Sequence, residues 1–349
     1  MTARKPIMII GGGLAGLTLG IGLRQRGVPV TIWEAGNYPR HRVCGEFISG
    51  QGRAVLEGLG LLGRCEAAGA VEARTVLFIC GRNRSPVRRL ETPALGLSRQ
   101  ILDALLAEVF QENGGDLRIQ ARGPAAATEA GWVRASGRRL QTGAEWPRWF
   151  GVKAHVAAGS AVGLEADLEM HLGRDGYVGV NRIGGGEVNV CGLFRVREGG
   201  QRPEAKEDWL RGEAGSPLRE RLRGAAFAPE SFCSVAGLEL RPQRAAARAE
   251  CCIGDALTMT PPITGNGMSM AFESAALAAA ALAEYSGGGL DWEAARARVA
   301  RDCDAAFGRR LAWARRLQGM MVWRGLQGWP GAPLLRWGWL WRLMLTRTR

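Results

Sequence analysis

A glycine-rich turn near the start of the chain constrains its fold more than any other feature. Residues 7–10 are apolar, as in a strand buried on both faces of a sheet, and they lead into the turn Gly11–Gly16. A helix is predicted from Leu17 to Arg26, ending at Gly27, and a second strand from residue 28 to residue 33. This order predicts a βαβ unit and therefore an α/β fold built on a parallel sheet.

The turn has the glycine spacing of a dinucleotide-binding site. Gly11 permits the tight turn, Gly13 lets a pyrophosphate approach the backbone, and Gly16 lets the helix pack on the strand. The backbone N–H groups around Ala15, at the helix start, then favour the phosphates. Glu34 ends the second strand 18 residues after Gly16, where a carboxylate accepts hydrogen bonds from a ribose diol. An acid at this position favours FAD or NAD over NADP.

A second glycine-rich motif, near residue 254, favours a flavin over a nicotinamide. Residues 249–253 are predicted to form a buried strand that runs into Asp255, then into Pro261–Met268 and an alanine-rich helix to about Tyr285. An acid at the end of a strand can hold a polyol chain. Backbone N–H groups at the start of the helix could stabilise negative charge on a reduced flavin ring.

This second motif resembles the second FAD motif of the p-hydroxybenzoate-hydroxylase-like flavoproteins, which include class A monooxygenases and geranylgeranyl reductases. The shared pattern is GDA…PPxxGxGM followed by an alanine-rich helix. The resemblance implies FAD as the cofactor, with Asp255 on the ribityl chain. It also implies that a cofactor-binding group lies beside the flavin ring, consisting of Pro262, Gly265, Gly267 and Met268.

Two further segments match the same superfamily. Arg99 lies in a helix predicted to run to about Asn113, and an arginine at this position contacts the FAD in that family. The segment from Arg42 to Phe47 resembles the Arg-x-x-Cys-Gly-Glu loop of the reductase-like branch. It implies that Arg42 lies near the cofactor. It also implies a substrate-side group near the flavin face, consisting of Cys44, Gly45 and Glu46. From the sequence alone, Cys44 could equally well be a thiol that packs in the protein interior without a functional role.

The resemblance implies a Rossmann-type FAD-binding domain, of the glutathione-reductase-like kind, interleaved with a β-sheet substrate domain. We assign residues 1–60, 96–150 and 246–290 to the FAD-binding domain. Residues 61–95 and 151–245 then form the substrate-binding sheet. Residues 291–349 form a C-terminal helical segment.

Two segments depart from the family's patterns. Ser136 replaces the aspartate of an Asp-Gly motif that in hydroxylases serves both FAD and NAD(P)H, and residues 121–132 are few for the usual hairpin. NAD(P)H as a transient reductant is therefore an open expectation. Tyr177 matches the first residue of a Tyr-x-Trp-x-Phe-Pro segment in prenyl reductases, but Gly179 replaces its Trp, which suggests a wider substrate pocket.

The predicted substrate domain carries strand patterns at residues 152–155, 176–180 and 187–193. The last of these alternates as a sheet over a pocket would. Within these strands, Lys153 and His155 are candidate acid/base residues. The alternative is that they satisfy local hydrogen bonds, as polar residues on strands usually do.

Composition argues against several other classes of protein. No run of 18 apolar residues predicts a transmembrane helix, and the first residues do not resemble a secretion signal, so we expect a cytoplasmic protein. The eight cysteines form no CxxC pair and only three histidines accompany them, so we predict no metal site and eight free thiols. No nucleic-acid motif is present, and no nucleic-acid partner is predicted.

The net charge of +13 is concentrated at the end of the chain. Residues 309–349 contain nine arginines, no acidic residue and six of the twelve tryptophans. Trp and Arg together suit a membrane interface, where the rings sit at the headgroup level and the cations meet anionic lipid. Peripheral contact with the inner face of the membrane is one interpretation of this tail. A C-terminal segment packed on the enzyme is the other.

The sequence therefore predicts an FAD-dependent monooxygenase acting on a hydrophobic biosynthetic substrate such as a polyketide, a quinone or an isoprenoid. NAD(P)H would reduce the flavin and O₂ would supply the transferred oxygen atom. The chemistry would be borne by the flavin, and no amino-acid nucleophile is predicted. Two alternatives stay open: a flavin-dependent reductase or dehydrogenase of an isoprenoid or lipid C–C bond, and a flavin-binding accessory protein without turnover.

Overall fold

The chain folds into two β-sheets with helices packed against them. A computed structural model describes residues 3–138, 148–160, 162–196 and 205–321, together with Gly338 and Arg347. The strands are β1 (Ile7–Ile10), β2 (Val30–Trp33), β3 (Phe47–Ile48), β4 (Val71–Cys80), β5 (Asn83–Arg84), β6 (Arg88–Gly96), β7 (Asp116–Arg118), β8 (Trp132–Arg134), β9 (Arg148–Val156), β10 (Leu168–Gly173), β11 (Gly176–Arg182), β12 (Val188–Val196), β13 (Cys233–Ala236) and β14 (Cys251–Cys252). The helices are α1 (Leu14–Arg24), α2 (Gly50–Gly58), α3 (Leu62–Ala67), α4 (Arg99–Glu112), α5 (Lys206–Arg211), α6 (Pro217–Arg221), α7 (Gly267–Ser286) and α8 (Trp292–Met321).

The smaller sheet, which we call the parallel sheet, has the strand order β14-β8-β1-β2-β7. Every neighbouring pair in it is parallel. The carboxyl ends of the strands therefore meet at one edge, which is where ligands bind in open α/β sheets. Four sequence features begin within two residues of a strand end and converge there. They are the glycine turn after β1, Glu34 after β2, Ser136–Gly137 after β8 and Gly254–Asp255 after β14.

Helix α1 lies inside the molecule. Its residues from Leu14 to Leu23 are all buried, as expected of a helix that is apolar on every side. It packs against α7 and α4. The predicted βαβ unit is confirmed, but α1 begins at Leu14 and not at Leu17. The Leu17 N–H donates to the Gly13 carbonyl at 3.0 Å, which includes Gly16 in the first turn of the helix.

The larger sheet, which we call the large sheet, runs β13-β9-β12-β11-β10-β4-β6-β3, with β5 added to β4. Its pairs are antiparallel except for β4 with β10. Side chains alternate between its faces, so valines such as Val152, Val178 and Val190 pack on one side with α5 and α6. The opposite face bears a second apolar cluster that includes Phe78, Met170 and Tyr177 and borders the candidate site.

Three further expectations can be compared with the structure. The strands predicted at 152–155, 176–180 and 187–193 lie in β9, β11 and β12. No strand forms between β7 and β8, as the short sequence there suggested, and none of the eight cysteines, all of which are described, forms a disulfide bond. Among the described residues, no helix is both long enough and apolar enough to cross a bilayer. Most of the Trp/Arg tail beyond Met321 lies outside the described residues.

Candidate cofactor and substrate site

One continuous cavity of about 1150 Å³ runs from the carboxyl edge of the parallel sheet to the large sheet. It exceeds the ~300–1,000 Å³ typical of pockets for small ligands, as a site for both a dinucleotide and a substrate would. Every predicted cofactor-binding residue but one lines it, namely Gly11, Gly13, Ala15, Glu34, Arg42, Arg99, Asp255, Pro262, Gly265, Gly267 and Met268. The exception is Gly16, which is buried in α1 behind the turn. The predicted substrate-side residues Cys44, Gly45, Glu46 and Tyr177 also line the cavity.

The glycines of the turn have two different roles: Gly11 and Gly16 are required for packing, whereas Gly13 faces the cavity. Gly11 has a φ of +110°, and a Cβ there would lie 2.4 Å from the Ala135 carbonyl oxygen. A Cβ on Gly16 would lie 2.0 Å from the Gly11 carbonyl oxygen. A Cβ on Gly13 would meet no atom within 4 Å. The backbone at Gly13 is therefore open to a cavity ligand, and no side chain caps the N–H groups of α1. This geometry fits a diphosphate.

Glu34 is held in place by the turn that it faces. Its carboxylate accepts hydrogen bonds from the N–H groups of Gly12 and Gly36, both at 2.8 Å, and pairs with Arg40 at 2.6 Å. Burial alone would raise the pKa of Glu34, but the Gly36 hydrogen bond and the Arg40 charge outweigh it, so its pKa is lowered. Tyr38 completes the corner by donating to the Gly12 carbonyl. Glu34 thus holds the glycine turn together as well as facing the cavity.

Two predicted cofactor-side arginines share one buried carboxylate. Arg99 makes a bidentate pair with Asp103 at 2.8 and 2.9 Å, and Arg42 reaches the same carboxylate at 3.1 Å. Asp103 is fully buried, and Arg42 also lies 3.7 Å from Glu34. With Arg40, three cations face two carboxylates, which leaves one positive charge beside the cavity. A net cation near the glycine turn suits an anionic cofactor.

Asp255 and the start of α7 form the other side of the cofactor end. Arg138 pairs with Asp255 at 3.4 Å and donates to the Val43 carbonyl. Asp255 is about a quarter exposed, so its carboxylate stays accessible to a ligand. A Cβ on Gly267 would meet no atom within 4 Å, so the backbone at the start of α7 is open to the cavity. The Ser136–Gly137 segment lines the same region beside Gly11.

The large sheet presents a graded floor to the cavity. Three rows of residues cross β9, β12 and β11 in register. The first row is polar and consists of His155, Asn189 and Asn181. The second consists of Lys153, Cys191 and Gly179, and the third of Gly151, Leu193 and Tyr177. The sheet therefore changes from polar to apolar along the strands. Asn181 of the first row, Cys191 and Gly179 of the second and all of the third line the cavity.

The Cys44–Glu46 loop rests on the polar row. The Asn189 amide donates to the Cys44 carbonyl at 3.2 Å and the Asn181 amide to the Glu46 carbonyl at 3.4 Å. The Glu46 side chain is fully buried and lies 2.7 Å from His155 and 3.1 Å from Lys153. The sequence offered acid/base chemistry or local hydrogen bonding for Lys153 and His155. In the structure Lys153 forms an ion pair with Glu46, and His155 forms a hydrogen bond with the same carboxylate.

Glu46 ties three parts of the site together. Besides Lys153 and His155 on β9, its carboxylate accepts the Arg99 N–H at 2.9 Å, at the start of α4. Its own φ is +51°, a backbone conformation that costs a non-glycine residue about 1–2 kcal/mol. Burial would raise the pKa of Glu46, but the His155 hydrogen bond and the Lys153 charge lower it further than burial raises it. The ionised side chain therefore holds the loop against β9 and the start of α4.

Tyr177 is the polar group of the apolar third row. Its side chain is 5% exposed and its hydroxyl has no hydrogen-bond partner within the described part of the chain. Burial raises the pKa of Tyr177 well above its usual range, so the hydroxyl stays neutral and able to donate. Apolar side chains surround this part of the cavity, among them Val76, Phe78, Leu90, Met170, Leu193, Leu238 and Met259.

Several residues of the site were missed by sequence reasoning. They are Tyr38, Arg40, His41, Asp103, Arg138, Asn181 and Asn189. Asp103 could have been predicted from the sequence, because it lies four residues after Arg99 on the same face of a helix, where opposite charges form ion pairs. Asn181 and Asn189 left a weaker signal, since each falls in the period of a strand whose alternate residues are apolar.

Comparison with protein families identifies an FAD-binding region in the first part of the chain. Residues 4–149 match the family model described as an FAD binding domain. No curated protein matches the chain in sequence. The match confirms the predicted cofactor, FAD.

Solved structures share the fold across nearly the whole chain. The flavin-dependent brominase Bmp2 is 18% identical, with 96% of this chain and 93% of that chain covered and a TM-score of 0.73. PqsL from Pseudomonas aeruginosa, a probable FAD-dependent monooxygenase, is 18% identical over 94% of this chain and 99% of that chain, with a TM-score of 0.70. A flavoprotein/dehydrogenase from Cytophaga hutchinsonii is 16% identical over 91% and 86%, with a TM-score of 0.72. The predicted fold class is confirmed.

Proposed function

We propose that this FAD-dependent oxidoreductase, which has the p-hydroxybenzoate-hydroxylase-like fold, is a monooxygenase that acts on a hydrophobic small molecule. One observation carries the proposal: a single cavity joins the dinucleotide turn to an apolar chamber lined by Tyr177, whose buried hydroxyl has no hydrogen-bond partner in the described residues. PqsL, which shares the fold, is described as a probable monooxygenase and has a structure in complex with 2-aminobenzoylacetate. The described residues would supply binding, orientation and exclusion of water.

The cofactor end of the cavity has a group suited to each part of FAD. The N–H groups after Gly13 would bind the diphosphate, and Glu34 the adenosine ribose. Asp255 would hold the ribityl chain, and the N–H groups at Gly267 and Met268 would face the ring. When bound, the flavin would supply the redox chemistry. Arg42 and Arg99, held by Asp103, would add positive charge beside the diphosphate.

The apolar chamber indicates the substrate class. Its walls would bind a flat or chain-like hydrocarbon skeleton, such as that of a polyketide, a quinone or an isoprenoid. Tyr177 would donate a hydrogen bond to an oxygen or nitrogen atom of the substrate, since its hydroxyl is neutral and without a partner in the described residues. The substrate would therefore carry at least one polar atom on an apolar body.

Isotope labelling of the purified, FAD-loaded chain tests the reaction class. Turnover under ¹⁸O₂ with a reduced nicotinamide and a panel of aromatic and prenylated substrates should place one labelled oxygen atom in the product and one in water. An unlabelled product, formed equally well without oxygen, would instead establish the reductase. Stoichiometric FAD that no donor reduces would favour a flavin-binding protein without turnover.

The reductase alternative has its own structural support. The Cys44–Glu46 loop, which resembles the loop of the reductase-like branch, is seated on the cavity floor at the polar row. The fold is also shared with the Cytophaga hutchinsonii flavoprotein/dehydrogenase. Reduction of a substrate C=C bond would use the same apolar chamber. For both reactions NAD(P)H is the proposed source of electrons.

A further inference from the structure

A buried chain of ionisable groups leads away from the cavity wall beneath the Cys44–Glu46 loop. His41 Nδ1 lies 3.2 Å from Lys153 Nζ, and Lys153 Nζ lies 3.1 Å from Glu46 Oε1. Glu46 Oε2 lies 2.7 Å from His155 Nε2, and His155 Nδ1 lies 3.2 Å from Glu187. Lys153 and Glu46 are fully buried, whereas His41 is half-buried and lines the cavity.

Hydrogen-bond chemistry fixes the proton on His41. An ammonium group has donors only, so the Lys153 Nζ contact requires His41 Nδ1 to be the acceptor. The ring proton of His41 therefore sits on Nε2. Burial, together with the charges of Lys153 and His155, lowers the pKa of His41, against opposite contributions from Glu46 and Glu230. His41 is thus a neutral ring in a single tautomer, with an N–H free of the Lys153 contact.

The same residues have the composition of a metal site, but their centre already holds a cation. Ligand atoms of His41, Glu46 and His155 all lie within 4.8 Å of one another. Lys153 Nζ lies against two of the three, at 3.1 and 3.2 Å. A divalent ion there would meet an ammonium group that is fully buried. The arrangement therefore suits proton transfer better than metal binding.

The proposed reactions need a proton at this place. Oxygenation converts substrate, O₂, NAD(P)H and one proton to hydroxylated product, water and NAD(P)⁺. Reduction of a C=C bond by NAD(P)H also consumes one proton. In either case the proton must reach a largely apolar chamber. This need, and with it the inference below, rests on the proposed function.

We propose that His41 is a proton donor to the cavity and that Lys153 is the residue that sets its tautomer. His41 would release the proton on Nε2 while Nδ1 takes one from Lys153. Solvent would then reprotonate Nε2, and the Nδ1 proton would return to Lys153. One proton enters the cavity and no group is left changed. Glu46, held by His155, balances the charge of Lys153 before and after the transfer.

Nitrogen NMR of the FAD-loaded chain tests the tautomer without turnover. The chain has only three histidines, so ¹⁵N-labelled imidazoles are assignable by His41→Gln, His155→Gln and His171→Gln. We expect His41 to be the Nε2–H tautomer near neutral pH, and Lys153→Met to give a mixture of tautomers. Lys206→Met, which removes an exposed lysine elsewhere, should change nothing. A His41 ring that is doubly protonated at pH 7, or unaffected by Lys153→Met, would overturn the proposal.

Kinetics test the transfer itself. General acids contribute about 10²–10⁴-fold to a rate, so His41→Gly should lower kcat by at least about 100-fold with little change in KM. Added imidazole should restore part of kcat, which a merely structural role would not allow. Lys153→Arg keeps the positive charge but binds its proton too tightly to release it, so kcat should stay low. A His41→Gly rate equal to the wild-type rate, or a stoichiometric bound metal ion, would contradict the assignment. Because the NMR experiment needs no substrate, its result is separate from the outcome of the ¹⁸O₂ experiment.

Discussion

At the residue scale, Tyr177 combines two properties that seldom occur together. Its hydroxyl is buried and has no partner in the described structure, yet it borders the cavity in which we propose that substrate binds. A buried polar group without a hydrogen bond costs about 1–3 kcal/mol, so the free protein is less stable for having it. A substrate that accepts the hydrogen bond would remove this cost on binding.

Replacement of Tyr177 by Phe separates these two effects. The free protein should unfold at the same or a higher urea concentration, since an unsatisfied hydroxyl is removed. Substrate affinity should fall by up to about tenfold, the equivalent of one hydrogen bond. Tyr285→Phe is the matched control, because Tyr285 of α7 packs on Trp292 of α8 and does not line the cavity. A Tyr177→Phe protein with unchanged substrate affinity would remove this residue from the substrate site.

The Lys153–Glu46 pair gives a second prediction at this scale. Lys153→Met leaves the buried Glu46 carboxylate with one charged partner fewer and should lower the free energy of unfolding by about 3–5 kcal/mol. Lys153→Met combined with Glu46→Gln removes both charges and should cost less than the single change. Urea unfolding at pH 7 measures both variants. If the single and the double variant lose the same free energy of unfolding, Lys153 and Glu46 do not stabilise the fold as an ion pair.

The pH dependence of this pair has a definite sign. The fold lowers the pKa of Glu46, so its contribution to stability is complete above the unfolded glutamate pKa of about 4.3. That contribution is lost as the pH falls below 4.3 through the lower pKa of the folded state. In wild type, stability should therefore fall in this acid range by more than in the double variant. Unfolding curves between pH 3 and pH 6 compare the two.

At the scale of the element, different glycines of the βαβ turn serve the proposed cofactor binding and the packing of the helix. A side chain at Gly13 enters open space in the cavity, whereas one at Gly16 collides with the Gly11 carbonyl. Gly13→Val should therefore abolish FAD binding while the apo-protein keeps its unfolding midpoint. Gly16→Ala should lower that midpoint. Flavin fluorescence titration and thermal unfolding of both apo-proteins measure the contrast. Loss of stability in Gly13→Val would show that the turn has no room for a ligand.

The elements also show how far sequence reasoning reaches. The glycine turn, the strand before Glu34 and the motif at Asp255 were predictable, because each depends on a few adjacent residues with a fixed conformational demand. The row of His155, Asn189 and Asn181 was not predictable. It requires β9, β12 and β11 to be neighbours in one register, and that pairing depends on contacts between residues far apart in the sequence. His41 was missed for the same reason, since its partner Lys153 is 112 residues away.

At the scale of the whole molecule, charge is distributed unevenly between the body and the tail. Residues 309–349 contain nine arginines and no acid, and the described part of this segment ends α8 with exposed arginines at 309, 315 and 316. We propose that this segment contacts anionic lipid. Deletion of residues 329–349 should then abolish binding to liposomes that contain phosphatidylglycerol and leave the FAD content unchanged. A truncated protein that loses FAD or precipitates would support packing on the enzyme instead.

The graded floor of the cavity also has a consequence for how such an enzyme changes its substrate. Successive rows are two residues apart, or about 6.6–6.8 Å along the strands. Gly179 stands in the middle row, where a Cβ would lie 3.3 Å from the flexible Met170 thioether and 3.8 Å from the Cys191 carbonyl oxygen. Larger side chains at this one position would shorten the chamber stepwise without touching the cofactor end. The side chain at residue 179 would then set the length of substrate that the chamber accepts. Enzymes with different chain-length preferences could arise by substitutions at this single strand position.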